Sequence, residues 1–113
     1  MRTSEMFDRY EDYKKDPPPG CPLCRASVVR EFDHWLLIDN DFPYDAVAER
    51  HCMLVPKRHV GSLEEMTEEE RDEFSHVQST IDGFDSILVN LSHQQTVPEH
   101  FHIHLIAYKT VSQ

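Results

Sequence analysis

The sequence has no apolar run approaching the ~18–20 residues of a helical membrane span, so a membrane protein of that kind is not expected. Its opening stretch, "MRTSEMFDRYEDYKKD", has no apolar h-region, so a secretory signal is not expected either. A cytoplasmic location follows as the default. Positive charge is scarce: 11 Lys and Arg stand against 21 Asp and Glu, a formal net charge of −10. That balance argues against general affinity for a DNA or RNA backbone, and neither nucleic acid nor a membrane is expected as a partner. An anionic small molecule would need a local positive field, for which Lys57, Arg58 and the histidines are the obvious source. Cysteine is also sparse. Cys21, Cys24 and Cys52 make an odd number, and a disulfide framework is not expected from them.

What is there reads as a single domain over residues 1–113, without repeats or a flexible linker. A chain of this size buries ~60–70% of its unfolded surface, enough for a core without cross-links. Thr3 to Lys15 predicts a short amphipathic helix, with Phe7, Tyr10 and Tyr13 on one side, ended by "DPPPG". "SVVREF" and "HWLLIDN" predict two strands turning at Glu31–Phe32–Asp33. The polar, irregular "DFPYDAVAER" then leads to "HCMLVPKRH", a third strand stopped at Pro56. "TEEERDEFSHVQSTID" predicts the long helix. Thr67 and Glu70 form a capping box, and Phe74, Val77 and Ile81 recur on one face. Its acidic run looks like a solvated face. "DSILVNLS" and "HFHIHLIAY" complete five strands. The fold class is α+β: an antiparallel five-stranded sheet with one long helix and a short N-terminal helix.

Two features carry chemistry. In "HFHIHLIAYK", from His100 to Lys109, three histidines alternate with Phe101, Ile103 and Leu105. On a strand this period puts His100, His102 and His104 on one face and the apolar residues in a core behind it. Three imidazoles on one face cost polar burial unless they have a use. Cys21 and Cys24 form "CPLC", a spacing shared by metal knuckles and redox pairs. The metal reading is preferred because no strand–CxxC–helix context surrounds it. A tetrahedral zinc site would take both thiolates and two imidazoles, for which His51, His59, His100, His102 and His104 all qualify by position. His34, His76 and His93 read as surface residues.

Taken together, these segments resemble the histidine triad superfamily of nucleotide hydrolases and transferases. "HFHIHLI" matches its H-φ-H-φ-H-φ-φ signature. "CPLC" is similar to the zinc knuckle of many prokaryotic members, and "NDFPY" to a nucleotide-loop element. "HCMLVPKRHV" is similar to its H-x-x-φ-φ-P-K-x-H strand, and "LVNLSHQQTVPEHFHIHLI" follows its N…Q-[ST]-V…H-x-H-x-H ending. The resemblance covers residues 21–108, with 1–20 as a helical and proline-rich lead-in.

The resemblance implies a structural zinc on Cys21, Cys24, His59 and His100. It implies His102 as nucleophile, with His104 at the α-phosphate and leaving group and His51 beside it. Asn90, Gln95 and Thr96 fall where the family holds phosphate and leaving-group oxygens, and Asn40 near the ribose position. A small-molecule nucleotide substrate, cleavage at the α-phosphate through a nucleotidyl-histidine and a two-fold homodimer are implied with them. Departures are visible: "PE" fills the gap before His100 where one residue is usual, Gln94 stands where glycine commonly precedes the glutamine, and "DAVAER" is longer than the usual link. Two other readings stand beside this one. One is a metal-dependent hydrolase with all three strand histidines as ligands. The other is a nucleotide-binding or scaffold protein on the same fold.

Overall fold

The computed structural model describes residues 1–89 and 100–110. Helix α1 (Ser4–Lys15) is followed by strands β1 (Val28–Glu31), β2 (Trp35–Asp39) and β3 (Ala48–Pro56). A short 3-10 turn (Leu63–Glu65) then leads into helix α2 (Glu68–Thr80) and strands β4 (Ser86–Leu88) and β5 (Ile103–Tyr108). The five strands form one antiparallel sheet, as the sequence predicts, and the structure orders them β1-β2-β3-β5-β4. No helix of the described residues is long and apolar enough to cross a membrane.

The central strand β3 is buried on both faces from His51 to Pro56, so its side chains partition between two layers. On one face Trp35, Leu37, Cys52, Leu54, Ile103 and Leu105 build the main core, which α2 covers with Phe74 and Val77. Trp35 is fully buried, and its indole Nε1–H donates to the Glu70 carbonyl at 2.7 Å, so the helix is docked by a hydrogen bond as well as by apolar area. On the other face Ile38, Met53 and Val55 are covered by Leu23 from the cysteine knuckle. Gly20, at φ +90°, lets the chain leave the proline run and enter that knuckle.

The helix caps follow the sequence. Thr67 Oγ1 accepts the Glu70 N–H while the Glu70 carboxylate accepts the Thr67 N–H, completing the capping box. Glu70 is nevertheless buried rather than part of a solvated face, because Arg58 closes on its carboxylate at 2.7 Å. In α1, Tyr10 and Tyr13 pack on Phe42 at ring separations of 5.1 and 4.9 Å, but Phe7 lies outside that contact and is exposed.

Strand bounds differ from those expected, most of all in the last three strands. β3 begins at Ala48 rather than His51, since Ala48 and Arg50 still pair with β5 across a bulge. β5 begins at Ile103, so His100 and His102 precede the regular ladder. They are held there by other means: Phe101 N–H donates to the Val60 carbonyl at 2.6 Å, and the Phe101 ring enters the core. Only Ser86–Leu88 of the expected fourth strand is regular; residues 90–92 of that expectation lie outside the described residues.

Candidate functional site

All three histidines of the alternating run are buried, on the face away from the main core, but they enter two different environments. His100 turns toward the knuckle. His102 and His104 line a cavity of about 420 Å³, a volume suited to a small-molecule ligand. The rings of His102 and His104 meet edge to face at 5.2 Å, closer than the ~6.6–7 Å spacing of an ideal strand.

Cys21, Cys24, His59 and His100 present ligand atoms that all lie within 4.8 Å of one another. Cys21 Sγ lies 3.4 Å from His100 Nδ1, and Cys24 Sγ lies 3.5 Å from the Nδ1 atoms of both His59 and His100. Zn–S bonds of ~2.3 Å and Zn–N bonds of ~2.0 Å at tetrahedral angles require an S···N edge of about 3.5 Å. The donor set therefore fits a tetrahedral ion. His100 Nε2 lies 3.0 Å from the Pro56 carbonyl, which accepts only from a protonated nitrogen, so in the neutral ring Nδ1 carries the lone pair that faces the thiols. A metal ion there would tie the knuckle to the chain leading into β5.

The same logic sets the tautomers in the cavity. His102 Nδ1 lies 3.0 Å from the His100 carbonyl and must be the N–H, which leaves the Nε2 lone pair of a neutral ring available. Cross-strand register brings His51 and His104 together: His51 pairs with Ile106 and His104 with Met53, making the two histidines diagonal neighbours on one face. Tyr44 N–H donates to His51 Nδ1 at 2.9 Å. His51 Nε2 then carries the proton and donates to His104 Nδ1 at 2.8 Å. His104 is left with its Nε2–H as a donor. Burial, with the Arg2 charge nearby, lowers the His51 pKa to about 4. Burial, then His51, His102 and Arg2, lowers His104 to about 3.

Asn40 sits beside His51, with Nδ2 3.3 Å from Nε2, while its Oδ1 accepts the Phe42 N–H at 2.8 Å. It also lines the cavity. Asn90, Gln95 and Thr96 lie outside the described residues, as does His93; His34 and His76 are exposed. The expected charge sources are corrected. Lys57 is paired with Glu31 at 2.6 Å and Arg58 with Glu70 at 2.7 Å, and neither lines the cavity. Its cations are Arg2, Lys14 and Arg25. Tyr44, which the sequence placed only as part of "NDFPY", stacks its ring on His104 at 5.3 Å. The pattern of α1 signalled a helix but not that the helix would wall the site.

Comparison with known proteins sharpens this. No family model and no curated protein matches the chain. Solved structures do. A histidine triad protein from Clostridium difficile is 26% identical, covers 100% of this chain and 98% of its own, and superposes with a TM-score of 0.57. A histidine triad family protein from Bacillus anthracis is 24% identical over 83% of this chain and 82% of its own, with a TM-score of 0.57. A hydrolase of the same family from Legionella pneumophila is 19% identical over 82% and 96%, with a TM-score of 0.58. The latter two share the fold; the first shares it over the full length at higher identity. With this full-length likeness, and with the alternating histidines, the knuckle and the "NDFPY" loop that resemble the family's motifs, the chain belongs to the histidine triad superfamily.

Proposed function

We propose that the protein is a nucleotide phosphohydrolase or nucleotidyl transferase that cleaves a nucleotide conjugate at its α-phosphate through a covalent intermediate on His102. The observation that carries this reading is the His102 ring in the cavity wall, with Nδ1 committed to the His100 carbonyl. An imidazole attacks phosphorus only through an unprotonated nitrogen, and this hydrogen bond leaves Nε2 as that atom. In the first step the Nε2–P bond forms and the P–O or P–N bond to the leaving group breaks, its electron pair departing with the leaving group. In the second, water or another acceptor displaces Nε2 and the ring is regenerated. His104 offers its Nε2–H to a phosphoryl oxygen. His51 holds His104 in that tautomer.

Zinc bound to Cys21, Cys24, His59 and His100 would act as a structural tie rather than a Lewis acid. The metal-hydroxide alternative needs His102 and His104 as ligands. Among the described residues, His100 groups with the two cysteines and His59 instead, and His102 and His104 belong to no metal-capable cluster. A small-molecule nucleotide as substrate accords with the cavity's size and with its aromatic wall of Tyr10, Tyr13 and Phe42. Asn40, Asn90, Gln95 and Thr96 are proposed as substrate contacts on the family pattern, and a homodimer in the cytoplasm as its setting. The test is a panel of dinucleoside polyphosphates, nucleoside phosphoramidates and adenylated amines, assayed with the intact protein and with His102→Ala. Turnover of one class by the intact protein alone supports the reading. Equal turnover by both proteins removes His102 from its role, and no turnover by either leaves a binding protein.

A further inference from the structure

The cavity receives three cations but also two carboxylates, Asp39 and Asp41. In a chain with a net charge of −10, a phosphate entering it needs a cation that is not already spent. Lys14 is spent, since its ammonium sits 2.7 Å from Glu11. Arg25 keeps its charge, but its terminal nitrogens are engaged: Nη1 donates to the carbonyls of Pro19 and Gly20, and Nη2 donates to the Tyr13 hydroxyl at 2.7 Å. Arg2 is different. Its Nε donates to the Phe42 carbonyl at 2.8 Å, and among the described residues no hydrogen bond or ion pair engages its two Nη groups.

The position of Arg2 is fixed on both sides. Ala46 N–H donates to the Met1 carbonyl at 3.0 Å. Thr3 donates through both its backbone N–H and its hydroxyl to Asp45, each at 2.8 Å. Between these clamps the guanidinium lies over the Tyr10 ring at 4.4 Å and the Tyr44 ring at 4.9 Å. Tyr44 in turn packs on His51 and His104, so Arg2 shares an aromatic neighbour with the paired histidines. Such a cation–π seat holds a guanidinium without neutralising it. A planar fork with free terminal nitrogens matches two phosphate oxygens.

We propose that Arg2 binds the phosphate of the substrate from the cavity wall beside Tyr44. The inference rests on the nucleotide reading above, but concerns binding and does not require turnover. It gives the segment before α1 a role: the clamps to Asp45 and Ala46 present a charge that the core of the fold does not provide.

The test is calorimetric titration with two probes, adenosine 5′-monophosphate and adenosine, on the wild-type protein, Arg2→Met and Arg2→Lys. The wild type should prefer the monophosphate. Arg2→Met should lose on the order of ten- to a hundred-fold of its affinity for the monophosphate, the range of a charge-assisted hydrogen bond, and keep its affinity for adenosine. Arg2→Lys should recover part of the preference. A residue that only held the loop would weaken both probes by the same factor, and that outcome overturns the proposal. So does an Arg2→Met protein that binds the monophosphate like the wild type. Should Arg2→Met fail to fold, the same ratio is read from Arg2→Gln, which removes the charge and keeps a polar chain. A wild type that binds the monophosphate while Arg2→Met does not discriminate supports the inference even if no substrate is turned over. A wild type that binds neither probe removes the nucleotide reading together with this one.

Discussion

His51 Nε2 and His104 Nδ1 lie 2.8 Å apart, and the hydrogen bond between them has one direction, because the Tyr44 N–H already occupies His51 Nδ1. Two neutral imidazoles from different strands thus form a relay that puts the His104 proton on Nε2.

That relay is measurable. Histidine NMR titration should show His51 and His104 neutral through pH 6, with midpoints near about 4 and about 3. Both values lie below the ~6.5 of an unfolded histidine. The unfolded chain therefore binds more protons as the pH falls below ~6.5, and the stability these residues contribute is complete above that pH and declines below it. His51→Ala should raise the His104 midpoint. Ordinary midpoints near 6.5 for both residues would refute the relay.

The two preceding histidines should separate by substitution. His100→Ala should lower both bound metal and melting temperature, since metal-binding free energy is part of folding free energy at such a site. His102→Ala should leave both unchanged and abolish turnover. Elemental analysis should give about one zinc per wild-type chain, on a tetrahedral set of four ligands. A reduced, folded protein that carries no metal, or a Cys21→Ser variant that keeps full metal content, would remove the knuckle from this role.

Acid stability has a second source in Glu70. The Arg58 hydrogen bond, with those from Thr67, holds its carboxyl down to about 2 against the burial that opposes it. A carboxylate with a depressed folded pKa adds stability above its unfolded value near ~4.3, lost as the pH falls toward the folded one. Glu70→Ala also removes half of the capping box and should cost about 1–2 kcal/mol at neutral pH. Urea denaturation at pH 7 and pH 3 should show the variant's deficit shrinking at the lower pH. A deficit that is equal at both would contradict this account.

A two-fold dimer is expected from the superfamily. Light scattering at micromolar concentration should give twice the 13.3 kDa chain mass. A mass of one chain across that range would reject it.

Much of the site was legible because its signals are local. The period-two alternation at His100–Leu105 places histidines on one face and core residues on the other without reference to anything distant. The Thr67–Glu70 capping box works in the same way. What sequence could not reveal depends on long-range contact. Lys57 and Arg58 stand beside histidines in the chain but are neutralised by Glu31 and Glu70, which folding brings to them. Arg2 reaches the cavity because Asp45 and Ala46, more than forty residues away, clamp its neighbours. Nor does alternation mark that the regular ladder begins only at Ile103, with both His100 and His102 before it.

The central claim is that His102 forms a covalent bond to the nucleotide, and rapid-quench mass spectrometry on a turned-over substrate tests it most directly. The account predicts one added nucleotide mass on the peptide containing His102, labile in acid and stable in alkali as a phosphoramidate is, with no dependence on added divalent metal. Turnover without any such adduct, at a rate restored by titrating metal into chelated protein, would contradict it.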